Sequence, residues 1–174
     1  MERQHAGFTL VEALITLATA GLTLTVALPT FSDALERNRT TATLHHLSAD
    51  MAMARTSAII QRRQVVVCPK AGDQRCSDGA DWSAGWLVFT DADGNRQPDS
   101  AADVLRITDA PGGGRLSLGA SRAFLRYQVD GRSAHSNLTV HVCSAGLLRG
   151  QVVVNNHGRV RSARPKRETP CPQG

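Results

Sequence analysis

The sequence lacks the short motifs by which hydrolases and phosphate-loop proteins are recognised. There is no G-x-S-x-G segment, and Gly112, Gly113 and Gly114 are not followed by the Lys-Ser/Thr pair of a phosphate-binding loop. His45 and His46 are adjacent, so on a helix they point to different faces and make a poor metal pair. Serine, histidine and aspartate are too scattered to indicate a triad. We therefore expect no enzyme, no cofactor and no metal centre.

Cysteine is scarce, and the four cysteines form neither C-x-x-C nor another close zinc-binding spacing. This pattern favours disulfides in an exported domain. Of the three pairings that four cysteines allow, chain order favours Cys68 with Cys76 and Cys143 with Cys171. Free buried thiols are the alternative.

Acidic residues are almost absent after Cys143, where Glu168 is the only one. The formal net charge of +5 is therefore concentrated near the C-terminus. The basic residues of this region are Arg149, Arg159, Arg161, Arg164, Lys166 and Arg167.

A predicted turn and the strand that follows it indicate where the side chains of these basic residues lie. The segment from Asn155 to Gly158 predicts a tight turn, because asparagine and glycine tolerate positive φ. Strand alternation would then place Arg159 and Arg161 on one face, about 6.6–6.8 Å apart, with Val160 turned towards the core. Two guanidinium groups on one face suit successive phosphates of a nucleic acid. The alternative is a solvated basic rim that keeps an edge strand soluble or pairs with a neighbouring subunit.

Ionisable residues are equally scarce near the N-terminus, where Glu12 is the only one between Phe8 and Leu28. This span of about 21 residues matches the ~20 that a helix needs to cross a bilayer. A carboxylate there is costly, so we interpret Glu12 as a docking charge for the α-amino group of a neighbouring subunit. An ordinary secretory signal cleaved after Ala20 and a plain membrane anchor are the alternatives.

The segment GFTLVE from Gly7 to Glu12, followed by an apolar helix and Pro29, resembles the class III signal of type IV prepilins and pseudopilins. The resemblance implies that a prepilin peptidase cuts after Gly7. It also implies that the same enzyme N-methylates the new first residue, Phe8.

Beyond Pro29, apolar residues recur at helical spacings and predict that the helix continues, with one apolar stripe packed on a sheet. The stripe comprises Phe31, Leu35, Ala42, Leu44, Leu47, Met51, Ala54 and Ala58. Asp50 is expected to face water or a neighbouring subunit.

Short apolar and β-branched runs after Gln64, separated by turn residues, predict strands. These are expected at 64–68, 85–90, 104–107, 115–118, 124–129, 138–143, 151–155 and 159–162. The predicted fold class is α+β, with one long N-terminal helix packed on an antiparallel β domain.

As a set, 65–69, Cys76, 81–82, 85–89, Asp91 and 104–106 resemble the GspH/FimT family of minor pilins and pseudopilins. The resemblance implies two packed β-sheets against the C-terminal half of the helix. It implies a low-copy place in a type IV pilus or a type II secretion pseudopilus, without catalysis. The segment Gly158 to Arg161 is also similar to the GRxR motif of the FimT minor pilins, which bind DNA during uptake for natural transformation.

Two further features resemble ligand-binding sites but have simpler interpretations. The acidic run from Asp91 to Asp103 resembles a calcium loop, yet its glycine falls at position four and Ala102 occupies position twelve. A solvated turn is expected there. Trp82 and Trp86 flank a strand start, so they are expected to pack in the core and at its rim rather than stack on a ligand.

These patterns together predict the organisation of the chain. We expect a leader at 1–7, a transmembrane and filament-core helix at 8–30, an amphipathic helix half at 31–63 and a β domain at 64–174. The β domain would lie in the periplasm, anchored to the inner membrane, and outside the cell once assembled with other pilins.

The expected function is DNA binding by a minor pilin through Arg159 and Arg161, extended electrostatically by Arg164, Lys166 and Arg167. The alternative is a structural minor pilin or H-type pseudopilin that primes or caps a filament.

Overall fold

One long helix and eight strands form the described part of the chain. The computed structural model describes residues 9–72, 74–109, 115–133 and 135–172, so the expected cleavage junction of Gly7 and Phe8 lies outside it. The helix is α1 (Leu10–Gln61), and a 3-10 turn at Ala101–Asp103 follows the second strand. The strands are β1 (Val65–Pro69), β2 (Gly85–Thr90), β3 (Val104–Asp109), β4 (Ser117–Ala120), β5 (Leu125–Tyr127), β6 (Leu138–Ser144), β7 (Leu147–Val154) and β8 (Val160–Ala163). The predicted α+β class is confirmed.

The chain divides into two compact units, and the first is Met1–Asn38. Here α1 begins with a reciprocal cap: the Thr9 backbone N–H donates to Glu12 Oε2, and the Glu12 N–H donates to Thr9 Oγ1, both at 3.3 Å. Phe31, which the stripe placed against a sheet, is 70% exposed. In the part of the chain that the structure describes, no helix is both long and apolar enough to cross a membrane.

The second unit, Arg39–Gly174, contains two antiparallel four-stranded sheets. Sheet A has the order β3-β2-β1-β5, and sheet B has the order β4-β6-β7-β8. The expectation of two sheets is confirmed. β7 begins at Leu147 rather than at the expected Gln151, because Ala145 (φ 50°) and Gly146 (φ 76°) close a two-residue hairpin. The sequence hid this turn, since alanine seldom adopts positive φ.

The main core lies between α1 and the inner faces of both sheets. From the helix, Leu47, Met51, Ala54 and Ala58 are fully buried in it. β1 and β2 are buried along their whole length, because a smaller cluster that includes Phe89 covers the other face of sheet A. The fully buried residues of the main core also include Trp82, Trp86, Leu118, Leu125, Tyr127, Val140 and Val152.

Asp50 corrects the prediction that it faces water, because its side chain is 2% exposed. Its Oδ2 accepts hydrogen bonds from Trp86 Nε1 at 2.9 Å and from Thr108 Oγ1 at 2.7 Å. Its Oδ1 lies 3.3 Å from Nη1 of Arg106, whose side chain is half-exposed. The carboxylate thus joins α1 to β2 and β3, and it explains why an ion can lie on the apolar stripe.

Two disulfides close the β domain. Cys68 is bonded to Cys76, and Cys143 is bonded to Cys171. These are the pairings that chain order favours, and no cysteine is left free.

Candidate functional site

The turn between β7 and β8 is built by Asn155 and Gly158. The Gly158 N–H donates to the Asn155 carbonyl at 2.8 Å, and the Asn155 N–H donates to the Arg159 carbonyl at 3.3 Å. The Asn155 side chain adds a third bond, since its Oδ1 accepts the Arg159 N–H at 3.0 Å. Gly158 has a φ of +75°, which closes the hairpin with a residue in the left-handed region. The backbone of Arg159 is therefore held on both sides.

This turn rests on a second loop, at Gly131, which in turn rests on α1. A Cβ placed on Gly158 would lie 2.1 Å from the Gly131 carbonyl oxygen, and a Cβ on Gly131 would lie 2.6 Å from Ile59 Cδ1. Ser133 Oγ donates to the Asn155 carbonyl at 2.6 Å. The helix, the Gly131 loop and the hairpin turn thus form a stack that no side chain at Gly158 could enter without displacing backbone.

Arg159 and Arg161 project outward from the edge of sheet B. Among the described strands β8 pairs only with β7, with Arg161 opposite Val153 and Val160 opposite Val154. Val160 packs against the main core, whereas both arginines are exposed. The strand begins at Val160, one residue later than predicted, and Val160 packs against the core as expected.

The C-terminal tail doubles back along β7. The Leu148 N–H donates to the Thr169 carbonyl at 2.9 Å, and the Cys171 N–H donates to the Gly146 carbonyl at 2.8 Å. The Cys143–Cys171 bond fixes the same segment. Since the tail uses more residues than the facing part of β7, it loops outward and exposes Lys166 and Arg167.

Arg164 is directed differently from the other basic residues of the tail. Its Nη2 donates to Thr41 Oγ1 on α1. Together with Thr41, Leu44, His45, Ser162 and Ala163 it lines a cavity of about 450 Å³ between the helix and β8. Arg164 therefore turns to α1 and lines a cavity that includes neither Arg159 nor Arg161.

Sequence reasoning missed one basic residue at this site, Arg55. Arg55 of α1 lines a cavity of about 340 Å³ together with Asn155, His157 and Arg159. Its Nε donates to the Gly131 carbonyl at 3.0 Å. No local signal marks Arg55, because its neighbours in space lie far from it along the chain.

The charged side chains of this region are basic. Residues 131–167 contain no aspartate or glutamate. The ion pairs Lys70–Asp109, Arg106–Asp50 and Arg126–Asp91 lie outside the hairpin and the tail. On β6, burial lowers the pKa of His141, so this histidine adds no charge near neutral pH. The positive charge comes from the arginines and Lys166.

The carboxylates of the acidic run after β2 accept hydrogen bonds from other groups of the protein. Asp91 is buried and accepts Arg126 Nη2 at 2.9 Å. Asp93 Oδ1 accepts the Asn95 N–H at 3.1 Å, and Asp103 Oδ2 accepts Ser100 Oγ at 2.8 Å. The Ser100 hydrogen bond lowers the pKa of Asp103. Across the described residues, no three His, Cys, Asp or Glu side chains are grouped closely enough to bind a metal ion.

The chain is similar to known proteins in sequence and in fold. A family model described as GspH, type II transport protein GspH, matches residues 43–158, which is more than half of the chain. No curated protein matches it. The matched range ends at Gly158, so Arg159 and the basic tail lie beyond it.

Two solved structures share the fold. Both are crystal structures of the type IV minor pilin FimU of Pseudomonas aeruginosa strain PAO1. The first has a TM-score of 0.59 at 20% identity and covers 77% of this chain and 95% of FimU. The second has a TM-score of 0.55 at 19% identity and covers 74% of this chain and 96% of FimU. At these identities the likeness shows the fold alone.

Proposed function

Because this chain belongs to the GspH family, we propose that it is a type IV minor pilin that binds extracellular DNA through Arg159 and Arg161 and so supports DNA uptake in natural transformation. The observation that carries the proposal is the outward pair of arginines on the edge strand β8, behind a turn fixed at Gly158. A backbone that does not have to be ordered on binding loses less conformational entropy when its arginines grip phosphates. Weak sequence preference follows, since phosphate contacts carry no base information.

The N-terminal segment supports a proposed route into the filament. A prepilin peptidase removes 1–7 after Gly7 and methylates Phe8, and the segment 8–30 holds the protein in the inner membrane with the β domain in the periplasm. In the described chain Glu12 caps α1 through Thr9. On assembly with other pilins, the same carboxylate would exchange this weak exposed contact for the α-amino group of a neighbour.

The second candidate is a purely structural role. Its support is the likeness in fold to a minor pilin and the family's description as a type II transport protein. In that role the chain primes or caps a pilus or pseudopilus, and its basic surface contacts only other subunits.

A salt titration of DNA binding separates the two candidates. The whole chain in detergent should bind duplex DNA with an affinity that falls steeply with salt, because each neutralised phosphate adds about −0.9 to the log-log slope. Removing both arginines, Arg159→Ala with Arg161→Ala, should abolish most binding and flatten the slope by about 2.

The matched control removes two exposed arginines elsewhere, Arg63→Ala with Arg75→Ala. It should bind like the parent protein. A parent protein that does not bind DNA even at low salt supports the structural role instead. Equal losses in the two double variants would mean that net charge, and not this face, drives binding.

A further inference from the structure

The cavity between α1 and the β7–β8 turn is lined by a basic side chain, Arg55, that does not belong to the pair Arg159 and Arg161. Among the described residues its lining comprises Arg55, Asn155, His157 and Arg159, which supply two guanidinium groups, one imidazole and one amide, and no carboxylate. Its volume of about 340 Å³ falls within the ~300–1,000 Å³ typical of small-ligand sites.

Arg55 is held in place through Nε alone. That atom donates to the Gly131 carbonyl at 3.0 Å, and neither Nη group donates to any residue that the structure describes. The contact fixes the plane of the guanidinium and leaves its forked end for an acceptor in the cavity. Fully buried Tyr127 lies beneath: its Cε1 is 3.1 Å from where a Cβ on Gly158 would be, and the charge of Arg55 acts on its hydroxyl.

We propose that this cavity is a phosphate-binding pocket in which Arg55 of the helix and Arg159 of the hairpin hold one phosphate group between them. His157 and the Asn155 amide supply further N–H donors. An anion is the ligand class that such a lining selects, because several charge-assisted donors converge there without a competing carboxylate. The inference rests on the proposed DNA binding for its ligand, a backbone phosphate; free inorganic phosphate has the same chemistry.

The pocket changes how the DNA would lie on the protein. Arg159 becomes a bridge between Arg161 on the outer face of sheet B and Arg55 on the helix. The phosphate backbone would therefore pass over the hairpin turn towards α1, in addition to any contact with the tail.

Replacing Arg55 tests the pocket. In the whole chain, Arg55→Ala should weaken binding of a single-stranded oligonucleotide without terminal phosphates by about tenfold, the worth of a charge-assisted contact. It should also flatten the salt slope by about 0.7. Arg63→Ala, which removes an exposed arginine just after the helix, should change neither quantity. Because Arg55→Ala also removes the bond to Gly131, the melting temperature is measured in parallel. Arg55→Lys keeps the charge and should restore the slope but only part of the affinity.

The possible outcomes separate this inference from the proposed function. If the parent binds DNA and a folded Arg55→Ala variant binds equally well, the pocket is wrong and the arginine face stands. If Arg55→Ala unfolds, Arg55→Lys decides: a folded lysine variant with the slope of the parent and reduced affinity supports the pocket, and one with the affinity and slope of the parent overturns it.

If the parent does not bind DNA, the proposed function fails, and inorganic phosphate is titrated alone. Chemical-shift changes at the amides of Asn155, His157 and Arg159 that vanish in the Arg55 variants would support the pocket. Their absence in the parent would overturn it.

Discussion

Gly158 is the residue on which the geometry of the basic hairpin depends. Its φ of +75° suits glycine, and a Cβ would lie 2.1 Å from the Gly131 carbonyl oxygen. We expect Gly158→Ala to lower the free energy of unfolding by more than the ~1–2 kcal/mol that a left-handed conformation alone costs, because the backbone at 131 must move. DNA affinity should fall as well, since Arg159 would lose its fixed position.

The control for this variant is Gly94→Ala. Gly94 has a similar φ of +80°, and a Cβ there would meet no atom within 4 Å. It should lose only the conformational cost and keep its DNA affinity. Equal destabilisation of the two variants in chemical denaturation would show that the contact with Gly131 is unimportant.

Tyr127, the only tyrosine, predicts a loss of stability at alkaline pH. Burial raises its pKa above the usual value near 10, with the charge of Arg55 opposing this in part. Above about pH 10 the unfolded chain releases this proton while the folded chain keeps it, so stability falls as the pH rises. Tyr127→Phe should remove that part of the pH dependence.

The same variant should be as stable as the parent or more stable near neutral pH, by up to about 1 kcal/mol. Within the described residues, the buried Tyr127 hydroxyl has no hydrogen-bond partner, so its removal leaves no partner unpaired. Tyrosinate absorbance followed against pH checks the shift. Ionisation of the folded protein near pH 10 would contradict it.

At the scale of elements, Asp50 determines how α1 is seated on sheet A. Asp50→Ala would leave Trp86 Nε1 and Thr108 Oγ1 without their acceptor, and we expect a loss on the order of 3 kcal/mol. Asp50→Asn keeps an acceptor oxygen and should lose less, because Arg106 is half-exposed and can turn to water. Urea denaturation measures both. Asp33→Ala, at an exposed position of the same helix, is the control and should be neutral.

The Cys143–Cys171 bond holds the tail against β7, and the Cys68–Cys76 bond closes a smaller loop in sheet A. Replacing each pair by serine should cost up to about 3.6 and 2.6 kcal/mol respectively, from loop-closure entropy. Only the first replacement frees Lys166 and Arg167, so only it should weaken DNA binding. A melting curve and a binding isotherm for each variant check this order. Equal binding losses would contradict the role of the tail.

At the scale of the whole molecule, the N-terminal segment predicts processing and assembly. Intact mass of the protein from assembled filaments should correspond to a chain that starts at methylated Phe8. Glu12→Gln should leave the β domain folded yet impair entry into the filament, because only the assembled state supplies a charged partner in an apolar setting. Retention of 1–7, or cleavage after Ala20, would refute the prepilin assignment.

The long helix and the succession of the strands along the chain could be predicted from the sequence, since both depend on neighbouring residues in the chain. Helical spacing predicted that α1 continues through Pro29. All the expected strands occur, 85–90 with the predicted ends and the others with shifted ends. The predicted burial was wrong for Phe31, which is exposed, and for Asp50, which is buried. Periodicity gives the direction of a side chain but not what covers it.

The candidate site divides in the same way. The turn at Gly158 and the inward packing of Val160 could be predicted, because a hairpin is a local structure. Arg55 was not, since it meets the hairpin only through Gly131, which lies 76 residues further along the chain.

By itself the sequence determined the α+β class, the pairing of nearby cysteines and the basic hairpin, because each follows from short-range spacing. The family was indicated by the resemblance of short motifs. Only the tertiary structure decided that Asp50 is a buried acceptor, that Arg164 turns to the helix, and that Arg55 and Arg159 share a cavity. Those outcomes depend on how two sheets and a helix pack, and packing brings together residues whose separation along the chain carries no signal of their contact.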